Sequence, residues 1–244
     1  MLERVPTGIV GLDEMLEGGI PRGRTVIIVG GPGTGKTIMC TQFLVNGIRM
    51  YGESGIFVSL EESRAHLYQA MKRFSWDLDG LEKAGKFRFV DASPICRAAG
   101  EVKIGKYTVG RREFSMLGLM NTIEQIAELT DAKRIAVDPL AMIIFQYKDM
   151  HERRSAYVDL IDSLTATGAT CMTTMEVPST GPGTVVEEEY LAHGVIALQN
   201  LQIGKAMTRV MQIRKMRATA ADFQPRPYKI DSSGIVVYAD ETIF

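Results

Sequence analysis

The chain has 244 residues, with 28 lysines and arginines against 29 aspartates and glutamates, and a formal net charge of -1. This balance excludes a basic tail that wraps a nucleic acid, and 45% hydrophobic residues can fill a core at this length. The three cysteines have neither CxxC nor Cys/His ligand spacing, which indicates no disulfide framework and no zinc site. We expect one domain over residues 1–244, in the cytoplasm, without a signal peptide or a membrane span.

Short apolar runs alternate with helix-like stretches, which is typical of a mostly parallel sheet flanked by helices. The predicted strands cover residues 25–29, 55–60, 87–90, 134–138, 169–174 and 195–199. Helices are predicted between them from apolar side chains at positions i, i+4 and i+7. These stripes are Leu67, Met71 and Phe74 behind a Ser63 cap, then Met116, Met120 and Ile123, then Tyr157, Ile161 and Leu164.

After about residue 200 the pattern changes to antiparallel strands. One long strand is predicted over 206–217, followed by a hairpin over 228–238 that turns at 231–234. The stretches 97–112 and 181–183 are predicted to be loops. The predicted fold class is therefore α/β, with a central mostly parallel sheet flanked by helices and a C-terminal antiparallel extension.

A glycine-rich motif directly follows the first long strand. The pattern GxxxxGK[ST] runs from Gly30 to Thr37 and leads into a helical stretch. Its glycines let successive backbone N–H groups and the helix N-terminus face a phosphate, which predicts ATP binding. Lys36 would reach the β and γ phosphates, and the Thr37 hydroxyl would bind Mg²⁺. The predicted ATP-binding residues of this motif are Gly31, Pro32, Gly33, Thr34, Gly35, Lys36, Thr37 and Ile38.

Carboxylates follow two of the other predicted strands. Asp138 ends the strand 134–138 and is predicted, together with Thr37, to hold the metal; taken alone, it would equally open a turn before Pro139. Glu61 and Glu62 follow the strand 55–60 at the same sheet edge, where a glutamate can orient and deprotonate a water that attacks the γ-phosphate. The alternative is that both glutamates only favour the start of the next helix.

Further short motifs occur in order along the chain. They are TGI at 7–9, GGIPRG at 18–23, FVSLEES at 57–63, WDL at 76–78, VDASP at 90–94, MTT at 172–174 and IRKMR at 213–217. Together with the glycine-rich motif they cover about residues 5–238 and resemble the RecA-type ATPase superfamily and, within it, the KaiC-like branch. The resemblance implies a RecA-like P-loop NTPase fold. It also implies hydrolysis of ATP in a self-assembled ring, usually a hexamer, with the nucleotide held between neighbouring subunits.

The resemblance also implies roles for individual residues. Glu61 matches the general base and Glu62 its helper, with Lys36 completing the catalytic set within one subunit. Lys215 and Arg217 match cations that reach the neighbour's nucleotide, and strand alternation places both on one face. Without the resemblance, both would be assigned to a solvated edge strand.

A second group of residues is linked to the nucleotide by the resemblance alone. Arg73, Met216 and Thr219 match positions at the nucleotide, and Thr173 or Thr174 matches a polar sensor. Two threonines in a strand are also simply good strand formers.

The chain departs from the family pattern at positions that affect the expected activity. Pro139 replaces the usual Ser after the metal-binding Asp, which removes a hydroxyl and a backbone N–H and favours slow turnover. Ala218 replaces a Gly. The chain has one P-loop, and Glu189 and Tyr190 occupy the place of a phosphoacceptor pair, which argues against autokinase and clock activity.

Two other functions stay open from the sequence. One is a DNA-binding recombination accessory resembling the RadA paralogues, with weak binding of single-stranded nucleic acid through the stretch 97–115, which has a net charge of +3 and carries Tyr107 and Phe114. Against it, residues 187–189 are three glutamates in the loop where such proteins grip DNA. The other is a nucleotide-gated scaffold that binds ATP, assembles and barely hydrolyses it.

Overall fold

The computed structural model describes residues 2–93, 100–104, 107–112, 116–144, 146–147, 149–176 and 187–243. The strands are β1 (Arg4–Val5), β2 (Ile20–Pro21), β3 (Thr25–Gly30), β4 (Gly55–Ser59), β5 (Phe87–Asp91), β6 (Gly100–Ile104), β7 (Tyr107–Arg112), β8 (Arg134–Asp138), β9 (Thr170–Glu176), β10 (Gly194–Ile203), β11 (Ala206–Met216), β12 (Arg226–Asp231) and β13 (Gly234–Val237). The helices are α1 (Leu12–Met15), α2 (Lys36–Tyr51), α3 (Arg64–Met71), α4 (Leu78–Lys83), α5 (Met116–Thr130), α6 (Ala141–Ile144) and α7 (Met150–Ala166), with 3-10 helices at Lys72–Phe74 and Glu187–Tyr190.

Nine strands form one sheet in the order β13-β12-β11-β10-β3-β9-β8-β4-β5. The six strands from β10 to β5 are mutually parallel, and they are the six strands predicted for the parallel sheet. Strands β11, β12 and β13 continue the sheet in antiparallel fashion beyond β10. The predicted α/β fold with an antiparallel extension is confirmed.

Helices cover both faces of the parallel part, so its strands are buried on both sides. In β3, Val26 and Ile28 belong to a core cluster with Phe43 of α2, whereas Ile27 and Val29 belong to a second cluster with residues of α7. This division explains why β3 is a continuous apolar run without alternation. None of the described helices is long and apolar enough to cross a lipid bilayer.

The predicted helical stripes pack as expected. The Ser63 hydroxyl accepts a hydrogen bond of 3.4 Å from the His66 N–H and caps α3, and Leu67, Met71 and Phe74 are buried behind it. Tyr157, Ile161 and Leu164 of α7 are buried as well. In α5, Ile123 is fully buried, and Met116 and Met120 pack partly buried against the same cluster.

Two loop predictions have different outcomes. The prediction of a loop over 97–112 is wrong, because β6 and β7 form an antiparallel hairpin with Ile104 opposite Tyr107. The β-branched and aromatic residues of VKI and YTV favour strands, although Lys103 and Lys106 lie among them. The predicted loop at 181–183 lies outside the described residues.

Glu189, the last residue of the acidic segment 187–189, also differs from the prediction. The segment was expected to present carboxylates that repel a nucleic acid. The Glu189 carboxylate is instead buried and lies 2.8 Å from Nη1 of Arg214. The repulsion argument therefore does not hold for Glu189.

A buried ion pair ties the sheet to the helix that follows the glycine-rich motif. Arg134 begins β8 with no solvent exposure, and its Nε donates a 2.7 Å hydrogen bond to Glu53. Its Nη1 donates to the backbone oxygen of Phe43 in α2 at 3.0 Å, and the guanidinium lies 4.6 Å from the centre of the Phe43 ring. Gly47 leaves room for this side chain, since a Cβ there would overlap Arg134 Nε. Arg134 thus fixes α2 against β8.

We expect Glu53→Gln to lower the free energy of unfolding by about 3 kcal/mol, because it leaves the buried guanidinium of Arg134 without its counter-charge. The double variant Glu53→Gln/Arg134→Met should lose less than this single variant, since it removes the unpaired charge. Urea unfolding measures both. Asp131→Asn is the control, because the ion pair of Asp131 with Lys133 is solvent-exposed; its effect should stay within about 0.5 kcal/mol. Equal losses for Glu53→Gln and Asp131→Asn would contradict the assignment.

Candidate active site

The turn between β3 and α2 has the backbone geometry that phosphate binding requires. Gly33 and Gly35 have φ values of 71° and 96°, and Gly35 is the N-cap of α2. A Cβ on Gly35 would also lie 2.8 Å from Cδ1 of Ile230, but it is the left-handed φ that favours glycine there. The N-terminal end of α2 therefore opens onto a cleft lined by this turn.

The antiparallel extension holds the same turn in place. Tyr228 of β12 is buried, and its hydroxyl donates a 2.5 Å hydrogen bond to the backbone oxygen of Thr34. The Thr34 hydroxyl in turn donates to the Gly31 oxygen at 2.9 Å. Sequence reasoning missed Tyr228, because nothing in an apolar hairpin distinguishes a tyrosine that contacts a turn almost 200 residues away.

Lys36 is buried at the start of α2. Its Nζ donates to the backbone oxygens of Gly30 and Gly31 at 2.9 and 3.0 Å and lies 3.9 Å from Oε1 of Glu176. Burial lowers the pKa of Lys36, and the nearby carboxylates of Glu176 and Asp138 oppose that shift. A cation at this point can meet the phosphates of a nucleotide.

Asp138 receives hydrogen bonds from two neighbouring elements. Oδ2 accepts a 2.7 Å hydrogen bond from the hydroxyl of Thr37, and Oδ1 accepts one from the hydroxyl of Thr174 in β9. Burial raises the pKa of Asp138, while the two hydroxyls and Lys36 lower it. Of the two threonines linked to a sensor role, Thr174 contacts Asp138. The Thr173 hydroxyl is buried and has no hydrogen-bond partner among the described residues.

The donor set around Asp138 fits Mg²⁺. Thr37 and Asp138 supply a hydroxyl and a carboxylate, and Mg²⁺ binds through one or two such oxygens together with substrate phosphates and water. The residues that the structure describes contain no group of three or more His, Cys, Asp or Glu side chains arranged to hold a metal ion. A protein cage for another metal is therefore not indicated in the described part of the chain.

Glu61 and Glu62 lie at the same edge of the sheet as Asp138. Ser59 ends β4 directly opposite Asp138, so the two glutamates follow at the level of the cleft. The Ser59 hydroxyl donates to the Glu62 backbone oxygen at 2.6 Å and fixes the turn. Glu61 is exposed, whereas burial and the proximity of Asp138 raise the pKa of the half-buried Glu62. Glu61 is thus the more accessible of the two to a water.

Glu176 is a cleft residue that sequence reasoning missed. It ends β9, level with Gly30 at the end of β3, and its side chain is 62% exposed beside Lys36. The predicted strand stopped at residue 174, so Glu176 fell in no motif. The useful signal is its place at the carboxyl end of a central strand, where parallel sheets bind ligands.

The cleft has a volume of about 530 Å³, a size suited to a nucleotide. Among the residues that the structure describes, its charged lining consists of four carboxylates and one ammonium group: Glu61, Glu62, Asp138, Glu176 and Lys36. The formal charge of the lining is strongly negative. A bound phosphate chain would therefore need further cations.

Lys215 and Arg217 lie at the opposite end of the parallel strands, where those strands begin. Because β11 runs against β3, its last residue, Met216, pairs with Gly194, which pairs with Val26 near the start of β3. The Arg217 N–H donates to the His193 oxygen at 2.9 Å, and the His193 N–H donates to the Thr25 oxygen at 3.1 Å. Arg217 is thus level with Thr25, about 16 Å along the strand from Gly30. Neither cation can reach the cleft of its own subunit.

The other residues linked to the nucleotide also lie away from the cleft. Met216 is 5% exposed and belongs to the core, where its side chain contacts Gly194. Thr219 accepts a 2.9 Å hydrogen bond from Nη1 of Arg4. Arg73 is exposed on the 3-10 helix Lys72–Phe74. The structure brings none of the three into contact with the P-loop of the same chain.

The chain is similar to several proteins of known sequence or structure over nearly its whole length. A family model described as "ATPase: KaiC" matches residues 5–242. A UPF0273 protein of Thermotoga maritima is 36% identical and covers 99% of this chain and 98% of its own. The circadian clock oscillator protein KaiC of Parasynechococcus marenigrum is 32% identical over 97% of this chain, which spans 45% of that protein. The crystal structure of a KaiC-like protein from Pyrococcus horikoshii is similar with a TM-score of 0.82, at 34% identity, covering 98% of this chain and 100% of the other.

We expect Glu176→Gln to strengthen the binding of a non-hydrolysable ATP analogue by roughly three- to five-fold while changing ADP affinity less, because its carboxylate repels mainly the γ-phosphate. Titration calorimetry with both nucleotides gives the ratio. Glu128→Gln, at a distant glutamate in α5, is the matched control. A ratio that does not change in Glu176→Gln would show that this carboxylate turns away from the phosphates.

Proposed function

Because the chain belongs to the KaiC-like family of ATPases, we propose that it hydrolyses ATP as a ring-forming oligomer, with each nucleotide held between two subunits. One subunit contributes the P-loop cleft. The next contributes Lys215 and Arg217 from the opposite edge of its own sheet. The proposed ring is a hexamer.

The position of Lys215 and Arg217 carries this proposal. Arg217 lies about 16 Å along the sheet from the end of β3, too far for an arginine side chain to span. A role for these cations in hydrolysis therefore requires a second subunit. In that arrangement they stabilise charge on the transferring phosphoryl group, as an arginine finger does.

The charge of the cleft supports the same conclusion. Four carboxylates and Lys36 line it, and a triphosphate adds further negative charge. Mg²⁺ between Thr37 and Asp138 would neutralise part of this charge and polarise the phosphate. Lys215 and Arg217 of a neighbour would supply two more positive charges, so the complete site exists only after assembly.

The proposed reaction assigns one task to each residue of the cleft. The backbone N–H groups of the P-loop and Lys36 bind the phosphate chain, and Thr37 and Asp138 hold Mg²⁺. Glu61 orients a water and accepts its proton as the water attacks the γ-phosphate. Glu62 assists Glu61 in its role as the general base. Thr174 holds the Asp138 carboxylate in place through its hydroxyl.

Pro139 sets the expected rate of this reaction. It offers no N–H beside the metal-binding Asp138, and the next N–H, of Leu140, donates to the Thr174 oxygen at 2.8 Å. Fewer donors therefore face the phosphates than a serine at this position would supply. We propose slow turnover for this reason.

Binding of single-stranded nucleic acid stays a prediction. It depends on basic and aromatic side chains in the stretch 97–115, and these side chains lie outside the described part of the chain.

We expect Lys36→Ala to weaken ATP binding about a hundred-fold, since it removes the buried cation at the phosphates. Glu61→Gln should keep ATP affinity but lower kcat about a hundred-fold or more, because it removes the base. Calorimetry and phosphate release measure the two effects. Lys205→Ala, at an exposed lysine, is the control. Parental turnover in Glu61→Gln would disprove the assignment of the base, and negligible phosphate release from the parent protein would favour the scaffold function.

Mixing two inactive variants tests the shared site. Glu61→Gln subunits lack the base but keep Lys215 and Arg217, whereas Lys215→Ala/Arg217→Ala subunits lack the cations but keep the base. Random assembly of equal amounts should restore about one quarter of parental turnover, because one interface in four combines an intact base with intact cations. Phosphate release after co-refolding measures the recovery. If the variants assemble together without recovery, the cations do not act between subunits.

A further inference from the structure

A β-bulge lies next to the proposed shared site. Along β10 and β11, Val195 pairs with Lys215 and Ile196 pairs with Ile213, so Arg214 is the extra residue of β11. A bulge breaks strict alternation and redirects side chains. Arg214 and Lys215, although consecutive, both contact the 3-10 helix Glu187–Tyr190.

The two basic residues contact different groups of that helix. Nη1 of Arg214 lies 2.8 Å from Oε1 of Glu189. Nζ of Lys215 donates to the backbone oxygen of Tyr190 at 2.8 Å and to that of Glu189 at 3.3 Å. The Arg214–Glu189 ion pair therefore attaches this turn to β11. The carbonyl groups that accept hydrogen bonds from Lys215 belong to the same turn.

This ion pair is well shielded from solvent. The Glu189 side chain is 6% exposed and that of Arg214 is 15% exposed. Apolar residues of similar volume often stabilise a fold as much as a buried ion pair or more, so stability alone does not explain a pair at this place. Its position directly beside Lys215 points to a role in the geometry of that lysine.

Lys215 has a particular need for such support. Burial and the neighbouring Arg217 lower the pKa of Lys215, and Glu189 opposes the shift. Hydrogen bonds to carbonyl oxygens favour the charged ammonium and limit its rotamers. For Arg217, the backbone N–H donates to the His193 oxygen, which lies outside the 3-10 helix Glu187–Tyr190.

We propose that Arg214 and Glu189 are positioning residues: their ion pair holds the 3-10 turn whose carbonyl groups orient Lys215 toward the neighbouring subunit's nucleotide. The inference rests on the proposed action of Lys215 between subunits. Neither positioning residue touches ATP. Loss of the pair leaves the P-loop intact and displaces the ammonium group of Lys215.

The double variant Glu189→Gln/Arg214→Met tests this role, because it removes the ion pair without leaving an unpaired charge. We expect kcat for ATP hydrolysis to fall roughly ten- to a hundred-fold, as for a misplaced catalytic group, with KM for ATP changed less than about two-fold. Thermal unfolding and size-exclusion chromatography should show a folded oligomer. Asp222→Asn/Arg226→Met is the matched control, since it removes another partly buried ion pair of the antiparallel extension and should keep the parental kcat.

A mixing experiment separates displacement of Lys215 from a general structural defect. Subunits with Glu189→Gln/Arg214→Met keep their own base, so co-assembly with Glu61→Gln subunits should restore turnover through the intact Lys215 of the latter. A defect within the P-loop cleft would not be rescued in this way. Co-assembly without recovery overturns the proposal.

Other outcomes are equally decisive. A folded double variant with parental kcat overturns the positioning role, because the ion pair then only stabilises the chain. An increased kcat also overturns it, because the ion pair then restrains Lys215. If the double variant does not fold, Arg214→Lys replaces it; it retains the charge but not the guanidinium geometry and should lower kcat about three-fold, whereas a parental kcat overturns the proposal. If Lys215→Ala keeps parental turnover, this inference fails, and the shared-site function fails with it if Lys215→Ala/Arg217→Ala also keeps parental turnover. If Lys215→Ala lowers kcat but the folded Glu189→Gln/Arg214→Met variant keeps the parental value, the inference alone fails.

Discussion

The hydrogen bond from Thr37 to Asp138 joins the start of α2 to the end of β8, across the intervening strand β9. Thr174 of β9 donates to the other oxygen of the same carboxylate. These bonds require Asp138 at the end of β8 to lie level with Thr174 of β9 and close to the end of β3, and the sheet register provides this alignment. The same register places Ser59 opposite Asp138, so Glu61 and Glu62 enter the cleft. The cleft therefore depends on strand alignment more than on any one loop.

Burial of charged side chains in this cleft costs free energy of solvation. Asp138 and Lys36 are both buried, and hydroxyl and carbonyl groups offset part of the cost of removing their charges from water. The remaining carboxylates leave the cleft negative overall. A nucleotide adds to that charge, so its binding and hydrolysis favour Mg²⁺ and cations from outside the cleft. In the proposed function, electrostatics thus links the chemistry of one subunit to its assembly with the next.

Strand direction separates the two proposed halves of the site. The parallel strands carry Lys36, Asp138 and the glutamates to one edge, whereas β11 returns in the opposite direction and carries Lys215 and Arg217 to the other. A chain with this topology cannot bring both sets together by itself. The bulge at Arg214 lets Arg214 and Lys215 both contact the turn that carries Glu189. These contacts fix the position of Lys215 at the second end.

The sequence alone determined the six parallel strands, the P-loop and the carboxylates at strand ends, because continuous apolar runs, glycine spacing and strand-terminal acids are local patterns. Only the tertiary structure decided which distant side chains meet. Glu176 carried no signal until β9 aligned with β3, and Tyr228 none until β12 packed on the P-loop. Glu189 was expected to oppose nucleic-acid binding and Arg134 only to begin a predicted strand, yet both are buried in ion pairs. The physical reason is that register, bulges and burial arise from contacts between residues far apart in the chain, which local patterns do not encode.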